Sequence, residues 1–220
     1  MAELLDKLPP RTALVQVARD FHARGWMSGT AGNLSVRSAP DRFWITASAQ
    51  PKGRLQEHDF LEVAVSDGEV LKRLGTDLKP SAETAIHGVI YALFPQVHAC
   101  LHVHSVDACI ASERAGPVDR TIPLPRIEML KGLGIWDPQP DARLEMFENL
   151  PAVADIAAAI RERFAGTPPM VPALMIRGHG ATVWGESLQQ AYDRVECLEF
   201  LFAFMARCGP QGAPTGGRPL

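Results

Sequence analysis

Two histidines separated by one residue, His102 and His104, lie at the end of an apolar segment whose pattern predicts a β-strand. Because side chains at positions i and i+2 of a strand point to the same face, both imidazoles are expected to face the same way. Two neutral imidazoles side by side are typical ligands of a divalent metal ion. A pair of partly exposed histidines without a metal is the alternative that this spacing leaves open.

A third metal ligand must come from another part of the chain, and His179 is the strongest candidate. It stands between Gly178 and Gly180 in a turn predicted to join two strands. Glycines there allow the backbone to fold closely around a bound group, although a turn histidine without a ligand is the alternative. His87, four residues after Glu83 on a predicted helix, is a candidate for a side chain that supports the site from behind.

Three weak signals for anion binding favour a phosphorylated substrate. A Gly-rich turn over residues 28–33 offers backbone N–H groups in a concave arrangement, a serine follows a strand in a second turn, and another serine opens a helix. A lysine beside the second turn adds a positive charge. The candidate phosphate-binding residues are Thr30, Gly32, Asn33, Ser48, Lys52 and Ser81. Neither a GxxxxGK[ST] pattern nor a GxGxxG pattern at the start of a helix is present.

Helical and strand periodicities predict the elements that must position these residues. The predicted helices cover residues 12–24, 81–93, 107–114, 151–164 and 187–207. About eight short strands lie between the helices, whereas segment 116–140 is rich in Pro and Gly and shows no long periodic stretch. This alternation predicts a layered α/β domain, with the strand order left open.

The composition is that of an ordinary soluble globular protein. The 220 residues carry a formal charge of −3, with 46% hydrophobic and 21% charged residues. These values exclude a disordered chain and a strongly basic nucleic-acid-binding protein. No apolar run reaches the roughly 20 residues that span a bilayer, and the N-terminus lacks the apolar stretch of a secretory signal. We expect a cytoplasmic protein without membrane partners, with one domain over residues 1–210 and a flexible tail over 211–220.

Four motifs together resemble the class II aldolase/adducin family, over a span from about Leu14 to Arg207. The motifs are Gly29-Thr30-Ala31-Gly32-Asn33-Leu34-Ser35, Pro80-Ser81-Ala82-Glu83, His102-Val103-His104 and Arg177-Gly178-His179-Gly180. The resemblance implies an α/β fold of three layers, α/β/α, with a central mostly antiparallel sheet, and a homotetramer. It also implies one divalent ion per subunit, zinc or another metal, held by His102, His104 and His179.

The same resemblance implies that Asn33, Ser48 and Ser81 lie near the substrate phosphate. Two positions depart from the pattern of the family's aldolases at this end of the site. Ala49 stands where those aldolases favour glycine, and Ala82 stands where they have a second serine.

Within the family, segment 126–132, Arg-Ile-Glu-Met-Leu-Lys-Gly, resembles the branch that dehydrates 5-methylthioribulose 1-phosphate in methionine salvage. The resemblance implies a hydro-lyase whose main acid/base is Glu128. Glu83, the acid/base position of the family's aldolases, shares the work or stands beside the metal. For Glu128, a surface carboxylate beside Lys131 is the alternative. For the whole chain, the alternatives are a sugar-phosphate aldolase or epimerase and a non-catalytic, adducin-like structural module.

Overall fold

The computed structural model describes residues 5–208, so the predicted tail over 211–220 lies outside the described residues. Nine strands form one sheet within that range. They are β1 Asn33–Ala39, β2 Arg42–Thr46, β3 Phe60–Ala64, β4 Val70–Arg73, β5 Ala99–Val103, β6 Thr121–Pro123, β7 Arg143–Phe147, β8 Ala173–Ile176 and β9 Gly180–Gly185. The order across the sheet is β4-β3-β2-β1-β5-β9-β8-β7-β6. Neighbouring strands are antiparallel, except that β7 and β8 are parallel.

Helices cover both faces of the sheet. The α-helices are α1 Pro10–Ala23, α2 Thr84–Leu93, α3 Val106–Glu113, α4 Val153–Phe164 and α5 Leu188–Cys208. Helices α1, α3 and α5 contribute to the apolar core on one face, and α2 and α4 contribute to the core on the other. The predicted three-layer α/β/α architecture with a mostly antiparallel sheet is therefore confirmed. No helix among residues 5–208 combines the length and the apolar character needed to cross a membrane.

Strand β5 lies at the centre of the sheet, and all five of its residues are buried. A strand covered by helices on both faces reads as a continuous apolar run rather than an alternating one. Leu101 and Val103 belong to the core under α1, α3 and α5, whereas Cys100 belongs to the core under α2 and α4. Because side chains alternate along a strand, His102 shares the α2 face with Cys100.

Two local predictions from the sequence need correction. Strands β6, Thr121–Pro123, and β7, Arg143–Phe147, are absent from the predicted elements, because three residues, and five residues with Leu144 and Met146 turned inward, give too short an alternation to detect. Helix α2 begins at Thr84 rather than at Ser81. Pro80 is still extended, since it forms a bridge with Ala47, and the Ser81 hydroxyl accepts a hydrogen bond from the Glu83 N–H at 3.3 Å in the turn that follows.

Ala49 adopts a left-handed backbone conformation with φ of 59°. This conformation brings Cβ close to the following carbonyl and costs a non-glycine residue roughly 1–2 kcal/mol. We expect Ala49→Gly to raise the free energy of unfolding by about 0.5–1 kcal/mol, since part of the gain is offset by the greater freedom of glycine in the unfolded chain. Urea denaturation measures the change.

The matched control for Ala49→Gly is Ala165→Gly, at an exposed alanine that follows α4 with an ordinary φ of −60°. That substitution should lower the free energy of unfolding by roughly 0.5–1 kcal/mol, because glycine has more freedom to lose on folding. Equal destabilisation by both substitutions would contradict the strain assigned to Ala49.

Candidate metal centre

Three polar side chains lie in one row across the adjacent strands β1, β5 and β9. Asn33 is directly opposite His102, and His102 is directly opposite Thr182. Residues directly opposite each other in antiparallel strands share a face of the sheet. Thr182 Oγ1 lies 2.9 Å from His102 Nδ1, so the hydroxyl oxygen can accept the Nδ1 proton. That tautomer leaves the Nε2 lone pair free for a metal ion.

The turn between β8 and β9 brings His179 against the end of β5. A Cβ atom at Gly180 would lie 2.2 Å from the carbonyl oxygen of Val103, so only glycine permits this approach. The His179 ring centroid lies 4.5 Å from that of His104 and 5.1 Å from that of His102. The three predicted histidine ligands therefore converge.

Glu83, immediately before α2, completes this group. Its Oε2 lies 3.3 Å from His102 Nε2, and its Oε1 lies 3.1 Å from His179 Nε2. One ligand atom from each of Glu83, His102, His104 and His179 lies within 4.8 Å of the others. Three imidazole nitrogens and one carboxylate are a donor set that fits zinc or a similar divalent ion.

Burial sets the charge of this four-residue cluster. It lowers the pKa of His102, and it lowers the pKa of His104 to about 3, so both rings are neutral near pH 7. Burial alone would raise the pKa of Glu83, but the neighbouring His102, His179 and Asn33 outweigh it and hold that pKa well below its ordinary value. Neutral imidazoles beside one ionised carboxylate favour a divalent cation.

The sequence model of the Class II Aldolase and Adducin N-terminal domain matches residues 12–206. The chain belongs to the class II aldolase and adducin family. A protein named methylthioribulose-1-phosphate dehydratase from Microcystis aeruginosa is 50% identical over 196 residues, covering 89% of this chain and 94% of the relative. A protein of the same name from Leptospira biflexa is 42% identical over 208 residues, covering 92% of this chain and 99% of the relative.

Among solved structures, l-fuculose-1-phosphate aldolase from Thermus thermophilus is similar to the chain, with a TM-score of 0.72 and 26% identity. The similarity covers 96% of this chain and 100% of that protein. The class II aldolase fold therefore extends over nearly the whole chain, with the histidine cluster inside the matched region.

In the structure, the three segments predicted to bind an anion lie side by side. The backbone N–H of Lys52 donates to the carbonyl of Gly29 at 2.9 Å, which joins the turn over 28–33 to the turn over 48–52. The N–H of Ser48 donates to the carbonyl of Lys79 at 2.8 Å, which joins the second turn to the segment of Ser81. Their binding of a phosphate stays a prediction.

Gly32 allows the Gly-rich turn to pack closely against β5. Its φ is 82°, and a Cβ atom at this position would lie 2.8 Å from the carbonyl oxygen of His102. Any other residue would therefore push the turn away from His102, a predicted metal ligand. Thr30, two residues earlier, is exposed, and its carbonyl accepts a hydrogen bond from Lys52 Nζ at 2.8 Å.

Lys52 is only 1% exposed, which is unusual for a lysine in a loop. Its Nζ donates to the carbonyls of Thr30 and of Gln50, at 2.8 and 3.0 Å. Burial lowers the pKa of this ammonium group to about 8. The positive charge therefore sits beneath the two turns and ties them together, a role that the sequence did not reveal.

Glu128 lies apart from the cluster. It begins a 3₁₀ helix, Glu128–Leu133, with a side chain that is 85% exposed. Its Oε1 lies 2.6 Å from Lys131 Nζ, the ion pair expected for a surface carboxylate. The structure of one chain does not bring Glu128 into the cluster of Glu83 and the histidines, and its role as acid/base stays a prediction.

Sequence reasoning missed two side chains that support the histidines, Thr182 and Asn149. Asn149 Oδ1 lies 3.4 Å from His179 Nδ1. Thr182 is the one polar residue in the run Ala181-Thr182-Val183-Trp184. A polar residue in an apolar strand is visible in the sequence. Its contact with His102 depends on the pairing of β9 with β5, which the sequence does not reveal.

Helix α5 carries a buried carboxyl group at Glu199, which is 3% exposed. Among the described residues, its Oε1 has no hydrogen-bond partner. Burial raises the pKa of Glu199 to about 7. In the unfolded chain a glutamate titrates near about 4.3, so between these values the folded state holds a proton that the unfolded state has lost.

Stability should therefore fall as the pH rises from about 4.3 to about 7. We expect Glu199→Gln to remove this contribution. The free energy of unfolding of the variant, relative to that of wild type, should therefore rise by up to about 3 kcal/mol between pH 4.5 and pH 8. Urea denaturation across this range measures the change, with Glu162→Gln on the exposed face of α4 as the control. The same pH dependence in Glu199→Gln and in wild type would contradict the assignment.

Proposed function

We propose that this chain is a metal-dependent hydro-lyase that converts 5-methylthioribulose 1-phosphate into 2,3-diketo-5-methylthiopentyl 1-phosphate in methionine salvage. The observation that carries the proposal is the 50% identity, over 89% of the chain, to a protein named for this dehydratase activity. The cluster of Glu83, His102, His104 and His179 supports it, because those residues supply the metal ligands that the chemistry requires.

The proposed metal is one zinc ion, or another divalent ion, per subunit, held by His102, His104 and His179. When bound, such an ion stabilises negative charge on the substrate oxygens as a Lewis acid. Thr182 holds His102 in the tautomer that leaves Nε2 free, and Glu83 places its carboxylate beside two of the ligand nitrogens. Zinc is the first choice for three imidazoles with an open position.

The reaction needs a group that takes the C3 proton of the substrate and a proton donor for the hydroxyl that leaves from C4. A carboxylate can do both, since it accepts a proton in one step and returns it in the next. We assign the main part to Glu128. Because Glu128 is exposed and outside the cluster of its own chain, the proposal includes a homotetramer in which Glu128 of the partner subunit faces the site.

The phosphate of the substrate is proposed to bind where the three anion-binding segments meet. Backbone N–H groups of the turn over 28–33, with the hydroxyls of Ser48 and Ser81, are the donors, and Asn33 lies next to them. The buried charge of Lys52 lies beneath the turns and favours an anion above them. Anchoring the phosphate fixes the sugar chain so that its C3–H faces the base.

The test is incubation of the purified protein with 5-methylthioribulose 1-phosphate, with fuculose 1-phosphate and ribulose 5-phosphate as controls. We expect a vicinal diketone, which an aromatic diamine traps, from the first substrate only. Aldol cleavage of fuculose 1-phosphate would instead support the second candidate, a sugar-phosphate aldolase, which is favoured by the presence of Glu83 in the cluster. Purified protein without metal and without turnover would support an adducin-like structural module.

A further inference from the structure

A line of buried polar side chains continues from Glu83 away from the metal centre, and we call it the polar chain. It runs from Glu83 through Asn33, His87 and Ser35 to Tyr91. The last four side chains are between 0% and 3% exposed. Strand β1 supplies Asn33 and Ser35, which share a face at i and i+2, and α2 with its N-cap supplies Glu83, His87 and Tyr91 at intervals of four residues.

Consecutive members of the polar chain are in hydrogen-bond contact. Asn33 Nδ2 donates to Glu83 Oε2. His87 Nε2 lies 2.5 Å from Asn33 Oδ1, and His87 Nδ1 lies 2.6 Å from Ser35 Oγ. Ser35 Oγ lies 2.8 Å from the Tyr91 hydroxyl oxygen. Two elements that are distant in sequence are therefore joined by polar contacts inside an apolar layer.

The donor and acceptor groups of these side chains determine which partner donates in each hydrogen bond. An ionised carboxylate only accepts, so Asn33 must turn its NH₂ group toward Glu83 and its oxygen toward His87. That oxygen also only accepts, so His87 must carry its proton on Nε2. Burial lowers the pKa of His87 to about 3, so the ring is neutral and Nδ1 accepts the proton of the Ser35 hydroxyl. Tyr91 then donates to Ser35.

We infer that His87 is a positioning residue, which fixes the side-chain amide of Asn33 and thereby holds the Glu83 carboxylate in one orientation at the metal centre. Without a donor at position 87, the Asn33 amide can turn over and place its oxygen against the carboxylate. Two acceptors in contact repel each other, so Glu83 would move away from the ligand nitrogens. The consequence for turnover rests on the proposed function, whereas the proton position on His87 does not.

Few side chains can replace His87 in this arrangement. The position needs a neutral group that donates from one atom and accepts at another, which leaves imidazole and the side-chain amides. Gln is therefore the conservative replacement. Phe keeps a ring of similar shape but provides neither a donor nor an acceptor.

The first experiment measures the histidine tautomer in the metal-free protein by ¹⁵N–¹H NMR on ¹⁵N-histidine-labelled protein. His87→Gln identifies the signal by removing it. We expect a neutral His87 with its proton on Nε2. A proton on Nδ1 would overturn the inference, because Ser35 would then donate to the carbonyl of Cys100, 3.2 Å away, and Asn33 would lose its partner. A doubly protonated ring would overturn it as well.

The second experiment measures turnover of the zinc-loaded enzyme on 5-methylthioribulose 1-phosphate. We expect His87→Phe to lower kcat by about 10–100-fold, the range for side chains that orient a metal site. KM should change by less than about threefold, because no side chain proposed to contact the substrate is replaced. Zinc content should stay at the wild-type level, and His87→Gln should recover most of the lost kcat. Ile86→Val, which deletes one buried methyl group on the same helix, controls for a loss of packing.

A double substitution tests whether His87 acts through Asn33. Asn33→Ala removes the intermediate, so adding His87→Phe should cause no further loss of kcat. Independent losses that multiply would overturn the inference, as would equal losses in the Phe and Gln variants. If His87→Phe does not fold, the tautomer and the Gln variant still decide the result. Wild-type enzyme that fails to dehydrate the substrate would overturn the proposed function and leave the tautomer result standing.

Discussion

His102→Ala should yield a folded protein that retains less than one hundredth of the wild-type affinity for zinc and has no measurable turnover. His102 supplies one of three proposed imidazole ligands, and Thr182 on the neighbouring strand holds its ring through Nδ1, at 2.9 Å. Changes in side chains that only orient a ligand cost about 10–100-fold in metal affinity, so loss of a ligand itself should exceed that range. Competition with a chelating dye gives the affinity, and elemental analysis gives the content.

The matched control for His102→Ala is His58→Ala, because that histidine is 66% exposed and lies outside the cluster. Its zinc affinity and turnover should equal those of wild type. Equal zinc content in both variants after extensive dialysis would remove His102 from the metal ligands. Circular dichroism of both variants checks that neither has lost the fold.

Glu128→Gln should lower kcat by about 10²–10⁴-fold while zinc content stays at the wild-type level. The substitution keeps the size and a hydrogen-bonding end but cannot accept and return a proton, and general acid–base catalysis contributes about this range. Glu83→Gln should be the milder of the two, the reverse of what an aldolase mechanism requires. Steady-state kinetics on 5-methylthioribulose 1-phosphate measure both, with the exposed Glu69→Gln as the control.

Mixing subunits tests whether Glu128 acts on a neighbouring site. Tetramers assembled from His179→Ala subunits and Glu128→Gln subunits contain some sites with three histidines and an intact Glu128 of the partner subunit. Each variant alone should be inactive, and the mixture should regain activity.

Abolished turnover in Glu83→Gln together with an active Glu128→Gln would reject the assignment to Glu128. If both variants are inactive, solvent-deuterium exchange at C3 distinguishes which carboxylate takes the proton.

Short-range rules predicted the pair His102 and His104 and the turn that carries His179, whereas the meeting of His179 with the pair depends on the pairing of β9 with β5. His102 and His104 share a face through strand geometry alone, and Gly178 and Gly180 mark the turn of His179. The contact of Glu83 with two of these rings depends on where α2 begins relative to β5. Tertiary packing sets that position, and no local sequence pattern predicts it.

The features that the sequence did not reveal also depend on tertiary structure. Strand β7 is identified by its parallel pairing with β8, not by its five-residue pattern. Lys52 is predicted from the sequence to add a positive charge beside the second turn, but its burial depends on two turns that close over it. Glu128 carries a family pattern, yet its surroundings in one chain are those of a surface residue. Its proposed role at the site of a neighbouring subunit stays a prediction, since a single chain does not show that contact.

The order of the strands also bears on the synthesis of the protein. Strand β5 pairs with β1, made long before it, and with β9, the last strand of the sheet. Until β9 emerges from the ribosome, the nascent chain has a central strand with one unpaired edge, and His179 is still missing from the site. Non-local pairing of this kind slows folding. The chain therefore acquires the last of its proposed metal ligands, His179, only after β8 has been made, and β9 and α5 then complete and cover the sheet.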